Sequence, residues 1–293
     1  MLKGSIVAIA TPFKDGKVDE GKLKELVEFQ IKNGTSAILP CGTTGESPTL
    51  SHEEHERVID LCIEAADKRV PVMAGTGSNS TEEAVQLTRH AAEAGADAAL
   101  VVTPYYNKPT QEGLYRHFKA VADSVDIPII LYNIPGRTSR NIEPETMARL
   151  AADCQNIIGV KEAAGSLAQM QAIKMICPDD FLLFSGDDAL TLPLLSIGGV
   201  GVVSVVANIV PQDVAALIKA FNDGDITEAQ KRHYRLLPLV KAMFVETNPA
   251  PVKEAMEMLD ICSGDVRLPM CRITDASRRQ LRQALVDYGL LKT

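Results

Sequence analysis

The chain has 293 residues, 46% of them hydrophobic, a net charge of −8, few aromatics and no tryptophan. This excludes the basic stripe and stacking surface of a nucleic-acid-binding protein. The length is enough to bury a large core, as one large α/β domain or two ordinary ones. The longest apolar runs, such as 202–210, are far too short to span a bilayer. Six cysteines stand at 41, 62, 154, 177, 262 and 271 with no CxxC pair, and read as reduced thiols of a cytosolic protein. Met1-Leu2-Lys3-Gly4-Ser5 passes straight into a strand pattern without a signal-peptide pattern, so we expect a cytoplasmic location.

Taken in chain order, residues 5–10 form the first short apolar run with a strand pattern. Leu23, Leu26, Val27 and Ile31 follow helical spacing, and Gly34 stands where a C-cap belongs. A second strand is expected at 37–41, then a helix opened by a Ser51–Glu54 capping box. Strand 70–74 precedes a helix with the same expected box, Ser80 with Glu83, and a Gly95 C-cap. Strands follow at 98–103, 127–132, 157–161, 181–185 and 201–206, with Pro144 and Pro211 at early helix positions. Apolar strands covered on both faces and alternating with helices predict a (β/α)8 TIM barrel over 1–224. A doubly wound open sheet fits less well, because the count of eight would be accidental. Residues 226–245, 251–260 and 277–290 read as helices with no strand between them, a C-terminal helical subdomain over 225–293.

Barrels of this kind carry their chemistry at the C-terminal ends of the strands. The sixth strand, Ile157-Ile158-Gly159-Val160-Lys161, ends in a lysine. Such a lysine either snorkels to water or is kept dry for chemistry. Dry amines lose their proton more readily and attack carbonyl carbon to form Schiff bases. The second strand runs into Gly42-Thr43-Thr44-Gly45, whose backbone N–H groups can hold a carboxylate or a phosphate, or simply turn the chain. Tyr132 ends the fifth strand, either as an acid/base at the barrel mouth or as a core tyrosine. Arg137 follows in a Pro-Gly turn, as a carboxylate clamp or a solvated loop side chain. His52-Glu53-Glu54-His55 is not HExxH, and no carboxylate cluster has ligand spacing, so no catalytic metal is expected.

These strand ends, with Val102-Thr103-Pro104-Tyr105-Tyr106-Asn107-Lys108-Pro109 and Asn248-Pro249-Ala250-Pro251-Val252-Lys253, resemble the class I Schiff-base aldolase superfamily of dihydrodipicolinate synthases and N-acetylneuraminate lyases. The resemblance covers essentially the whole chain. The Tyr105-Tyr106 pair and the Gly136-Arg137-Thr138 turn bring it nearest the synthase branch. It implies that Lys161 condenses pyruvate with L-aspartate 4-semialdehyde without a cofactor, and that Tyr132, Thr43 and Tyr106 relay protons. The counterpart of Tyr106 reaches in from a neighbouring subunit of a dimer or dimer of dimers. Thr44, Val203 and Gly186 would contact pyruvate, and Arg137 the carboxylate of the semialdehyde. An inhibitory L-lysine would sit against Ser47, Pro48, His52, His55, Asn79, Ser80, Glu83 and Tyr105, with Pro48 a departure from the small residue often found there. Two other readings stay open: a sister lyase acting on a sugar acid, and a barrel that binds without catalysing.

Overall fold

The computed structural model describes residues 2–292. Eight short parallel strands form the barrel: β1 (Gly4–Ala8), β2 (Ala37–Leu39), β3 (Met73–Gly75), β4 (Ala98–Val102), β5 (Ile129–Asn133), β6 (Ile157–Glu162), β7 (Leu182–Ser185) and β8 (Gly201–Ser204). β8 pairs back onto β1 with Gly4 opposite Gly201. A single parallel bridge, Ile38 to Val72, closes the ring between β2 and β3. That seam is thin because Pro71 has no N–H to give, while its carbonyl accepts from the Ile38 N–H at 3.0 Å. Proline thus delays the expected 70–74 strand to Met73.

Helices α1 (Glu20–Lys32), α2 (His52–Ala66), α3 (Thr81–Ala94), α4 (Gln111–Ala122), α5 (Pro135–Thr138), α6 (Pro144–Asp153), α7 (Leu167–Ile176), α8 (Thr191–Ser196) and α9 (Pro211–Asn222) surround the strands. α10 (Ile226–Ala242), α11 (Ala250–Met258) and α12 (Asp275–Tyr288) follow. Strand alternation separates two apolar layers. Ile6, Leu39, Met73, Leu100, Ile130, Phe184 and Val203 fill the barrel, while Val7, Ile38, Val101, Leu131 and Val160 face the helices. Leu239, Val252, Leu281 and Leu285 of the last three helices share one core with Leu23 and Val58, so these helices are packed onto the barrel wall.

Two local features differ from the sequence expectations. Asp15 and Gly16, both at positive φ (51° and 75°), turn a two-stranded ribbon, Phe13–Lys14 against Lys17–Val18, for which Asp-Gly is a recognised hairpin signal. The Ser51–Glu54 capping box forms in full, whereas Ser80 makes only half of one. The Ser80 N–H donates to Ser78 Oγ at 3.0 Å, which leaves the Glu83 carboxylate free to bond Ser78 and His52.

Candidate active site

The lysine of β6 owes its direction to a bulge. Ile129 pairs with Ile157, but Ile130 already pairs with Gly159, so one extra residue lies on the β6 side. The slip sets Tyr132 opposite Lys161 and turns both into the barrel, because a one-residue shift swaps faces. Lys161 is 5% exposed, and its Nζ lies 4.0 Å from the centroid of the Tyr132 ring. The lysine is therefore held dry at the barrel mouth and does not reach for solvent. Gly186, just beyond β7, lies against it. A Cβ there would come within 3.2 Å of Lys161 Cε and 2.6 Å of the Ala163 Cβ, so only glycine leaves the lysine stem its room. Val203 lies on the inner face of β8, in the same core as Tyr132 and Phe184.

The Gly42–Gly45 loop is fastened from outside the barrel. Thr44 is buried, and its Oγ1 accepts from Asn248 Nδ2 at 3.0 Å. The Asn248 carbonyl in turn accepts from Arg137 Nη2 at 3.0 Å, so one residue ties the threonine loop to the arginine. Glu46 ends the loop at φ 55°. Its carboxylate meets Lys253 Nζ at 2.7 Å in an ion pair whose side chains are 2% and 0% exposed, and it accepts the Arg267 N–H at 2.9 Å. Lys253 Nζ also donates to the Thr11 carbonyl at 2.9 Å and lies 4.1 Å from the Phe13 ring centroid. Burial holds the Lys253 ammonium below the usual lysine range, against the pull of Glu46.

Thr43, Tyr132 and Arg137 line one cavity of about 470 Å³, and Gly75 opens it further. A Cβ at Gly75 would come within 2.3 Å of the Cys41 carbonyl oxygen, so the top of β3 presses directly on that loop. The same cavity continues past Ser47 and Pro48 to His52, His55, Glu83 and Tyr105. Hydrogen bonds from Ser78 and His52 hold the Glu83 carboxyl low against its partial burial. Burial pushes the Tyr105 phenol up and the His55 imidazole down to about 4. Both ring nitrogens of His55 are buried without a partner. This end presents a carboxylate, a neutral imidazole and a phenol to whatever enters.

Of the residues singled out from sequence, Lys161, Thr44, Gly186 and Val203 pack around Tyr132 and the threonine loop without lining this cavity, and Tyr106, Asn79 and Ser80 do not line it either. Tyr106 is 89% exposed at φ 72° and stands on the surface, outside its own chain's cavity. The Asn79 carbonyl accepts from Asn107 Nδ2 at 2.7 Å, and Ser80 caps α3. Sequence reasoning missed the fastening residues Glu46, Asn248 and Lys253, although the Asn248–Lys253 segment contains two of them. It also missed Asp188, whose buried carboxylate takes the Ser204 hydroxyl and the Val205 and Val206 N–H groups (2.9 and 3.3 Å), tying β7 to β8 at the mouth. Among the described residues no group of three or more His, Cys, Asp or Glu is placed to hold a metal ion, and no helix is long and apolar enough to cross a membrane.

A family model described as the Dihydrodipicolinate synthetase family matches residues 1–287. The 4-hydroxy-tetrahydrodipicolinate synthase of Endomicrobium trichonymphae is 60% identical over 292 residues, covering 100% of both chains. The solved dihydrodipicolinate synthase of Aquifex aeolicus superposes with a TM-score of 0.98 at 52% identity and covers 100% of both chains. That of Cyanidioschyzon merolae, solved with lysine bound, gives 0.96 at 45% identity, with 99% of each chain covered. The strand-end lysine, the threonine loop and the whole-chain match agree, and this chain belongs to the dihydrodipicolinate synthetase family.

Proposed function

We infer that this chain condenses pyruvate with L-aspartate 4-semialdehyde to give 4-hydroxy-tetrahydrodipicolinate, the first committed step of diaminopimelate and lysine biosynthesis. The observation that carries this reading is a lysine amine buried at a barrel mouth over the ring of a tyrosine. The Lys161 amine attacks C2 of pyruvate, and loss of water gives an iminium. Loss of a C3 proton gives an enamine, since the iminium is itself the electron sink and no cofactor enters. The enamine carbon attacks the aldehyde carbon of the semialdehyde. The semialdehyde's own amine then adds to C2, closes the ring and displaces Lys161. Tyr132 moves protons at each stage, in a relay that runs through Thr43 to Tyr106. Thr44, Gly186 and the Val203 backbone hold pyruvate, while Arg137 grips the incoming carboxylate.

The same reading assigns Tyr106 to the cavity of a second copy, which accounts for its exposure here and implies a homodimer or a homotetramer built as a dimer of dimers. It assigns the His52–Glu83–Tyr105 end of the cavity to L-lysine, with Glu83 accepting from the ligand's ammonium. Ser47, Pro48 and His55 line the same end, and the reading adds Asn79 and Ser80, which stand outside the cavity lining. Residues 1–224 form the catalytic barrel and 225–293 the appended helical subdomain, in a cytoplasmic enzyme.

Borohydride added with pyruvate should leave one reduced pyruvate on Lys161, read by mass spectrometry. Pyruvate with aspartate semialdehyde should turn over, and neuraminate should not be cleaved. Absence of an adduct would leave only a binding barrel, and cleavage of neuraminate would move the chain to the sister lyases. Activity unchanged by L-lysine up to the order of millimolar would remove the effector assignment.

A further inference from the structure

Glu162 follows Lys161 directly, and strand alternation turns its carboxylate to the opposite face of β6. It is 0% exposed. Its partners are all donors: Asn133 Nδ2 at 3.2 and 2.9 Å from the two oxygens, Gln169 Nε2 at 2.9 Å and the Ala164 N–H at 2.7 Å. The amide orientations are fixed independently. Asn133 Oδ1 accepts the Ile142 N–H at 3.0 Å, which only an oxygen can do. Asn141 Oδ1 accepts from Asn133 and Gln169 at 2.8 and 2.9 Å, and Gln169 Oε1 accepts from Asn141 at 2.8 Å. A protonated carboxyl would find no acceptor in this ring of donors, so the network is satisfied by the carboxylate.

Among the described residues no lysine, arginine or histidine bonds to this carboxylate. The one charged group that touches the network is Glu143, through Asn141 Nδ2 at 3.2 Å. Burial pushes the Glu162 carboxyl up, and its hydrogen bonds from Asn133, Gln169 and Ala164 pull it back. A buried anion without a cation is costly and is retained where it acts on something. The register says on what. Tyr132 pairs with Lys161, and the next residues of each strand, Asn133 and Glu162, pair with each other. The pair proposed for chemistry faces inward, and its lock faces outward.

We propose that Glu162 is a positioning residue for Lys161 and Tyr132: its carboxylate fastens the ends of β5 and β6 from behind and supplies the buried negative charge that favours a cationic iminium on Lys161 over the neutral imine. This rests on the Schiff-base reading above. The iminium is the cation that the reaction creates one residue away from an unpaired anion, and opposite charges in a poorly solvated place stabilise one another. The neutral donors leave the full charge of Glu162 available to it, which a lysine or arginine partner would cancel.

The test compares wild type with Glu162→Gln and with the swap Glu162→Gln/Asn133→Asp, which returns one carboxylate to the same network. Each is incubated with subsaturating pyruvate, reduced with borohydride and weighed, alongside circular dichroism and steady-state kinetics. The trapped fraction and kcat should fall about tenfold in folded Glu162→Gln. The KM for the semialdehyde should stay within about twofold, and the swap should recover most of the loss. A folded Glu162→Gln chain that traps pyruvate as wild type does would overturn the inference, because a purely structural role changes melting and not the adduct equilibrium. Should Glu162→Gln alone fail to fold, the swap decides: trapping near wild type supports the assignment, and trapping a tenth as much or failure to fold overturns it. Wild type that traps no pyruvate would remove the Schiff-base reading and this inference together.

Discussion

Replacing Lys253 by methionine tests how the threonine loop is held. The substitution keeps an unbranched stem as far as Cε, and its thioether can still pack on the Phe13 ring. It removes the ammonium that meets Glu46 at 2.7 Å and the Thr11 carbonyl at 2.9 Å. Glu46 would keep the Arg267 N–H at 2.9 Å, too little for a carboxylate 2% exposed. Breaking such a buried pair from one side costs about 3–5 kcal/mol. At about 2–4 °C per kcal/mol for a chain of this class, Lys253→Met should melt roughly 10 °C below wild type. The damage should also reach function, since Glu46 ends the loop that carries Thr43 and Thr44, and the KM for pyruvate should rise several-fold. Removing both charges, Lys253→Met with Glu46→Gln, should recover much of the melting temperature, because no stranded charge remains. Thermal unfolding by circular dichroism with pyruvate-dependent kinetics reads all three. A single variant melting within about 2 °C of wild type, or a double variant no better than the single, would refute the reasoning.

Gly186→Ala should lower kcat at least tenfold and lower the melting temperature as well, because its Cβ would come 2.6 Å from Ala163 Cβ and 3.2 Å from Lys161 Cε; borohydride trapping equal to wild type would contradict this. Tyr106→Phe should slow turnover about tenfold or more while pyruvate trapping persists, since a phenol that only relays protons is not needed to bind pyruvate; an unchanged rate would misplace the relay. Burial holds His55 and His117 at about 4 in the folded chain, below the unfolded imidazole. Their contribution is complete above about pH 6.5 and is lost as the pH falls toward 4, at about 3 kcal/mol each. Urea midpoints at successive pH values should fall along this limb, and glutamine at both positions should flatten it; parallel curves would show that other groups set the acid sensitivity.

The eight strands were legible because each is a short apolar run covered on both faces, and caps such as Ser51, Gly95 and Pro144 mark the helices between them. Strand ends were less so. The 37–41 run stops at Leu39 as the chain turns toward Cys41, which adopts φ 54°, and local pattern does not report a left-handed backbone at a cysteine. The placement of Lys161 was legible as an oddity, a cation in an apolar run. That it faces inward depends on the bulge between β5 and β6, which exists only in the pairing of two strands.

The residues missed share one physical property: their partners are distant in sequence. Glu46 and Lys253 are 207 residues apart, Thr44 and Asn248 204. A glutamate closing a loop and a lysine on a helix carry no local mark of burial, and each alone is an ordinary exposed charge. Ser80 and Glu83 show the converse failure, where the local pattern was right for a capping box and the fold spent half of it elsewhere. Ser78 took the Ser80 N–H and, with His52, the Glu83 carboxylate, which turned a helix-start residue into a wall of the cavity. Local spacing thus reports what a side chain can reach within its own element. At this barrel mouth, where β-strand ends, loops and a C-terminal helix converge, partners outside the element outbid it at Thr44, Glu46 and Glu83.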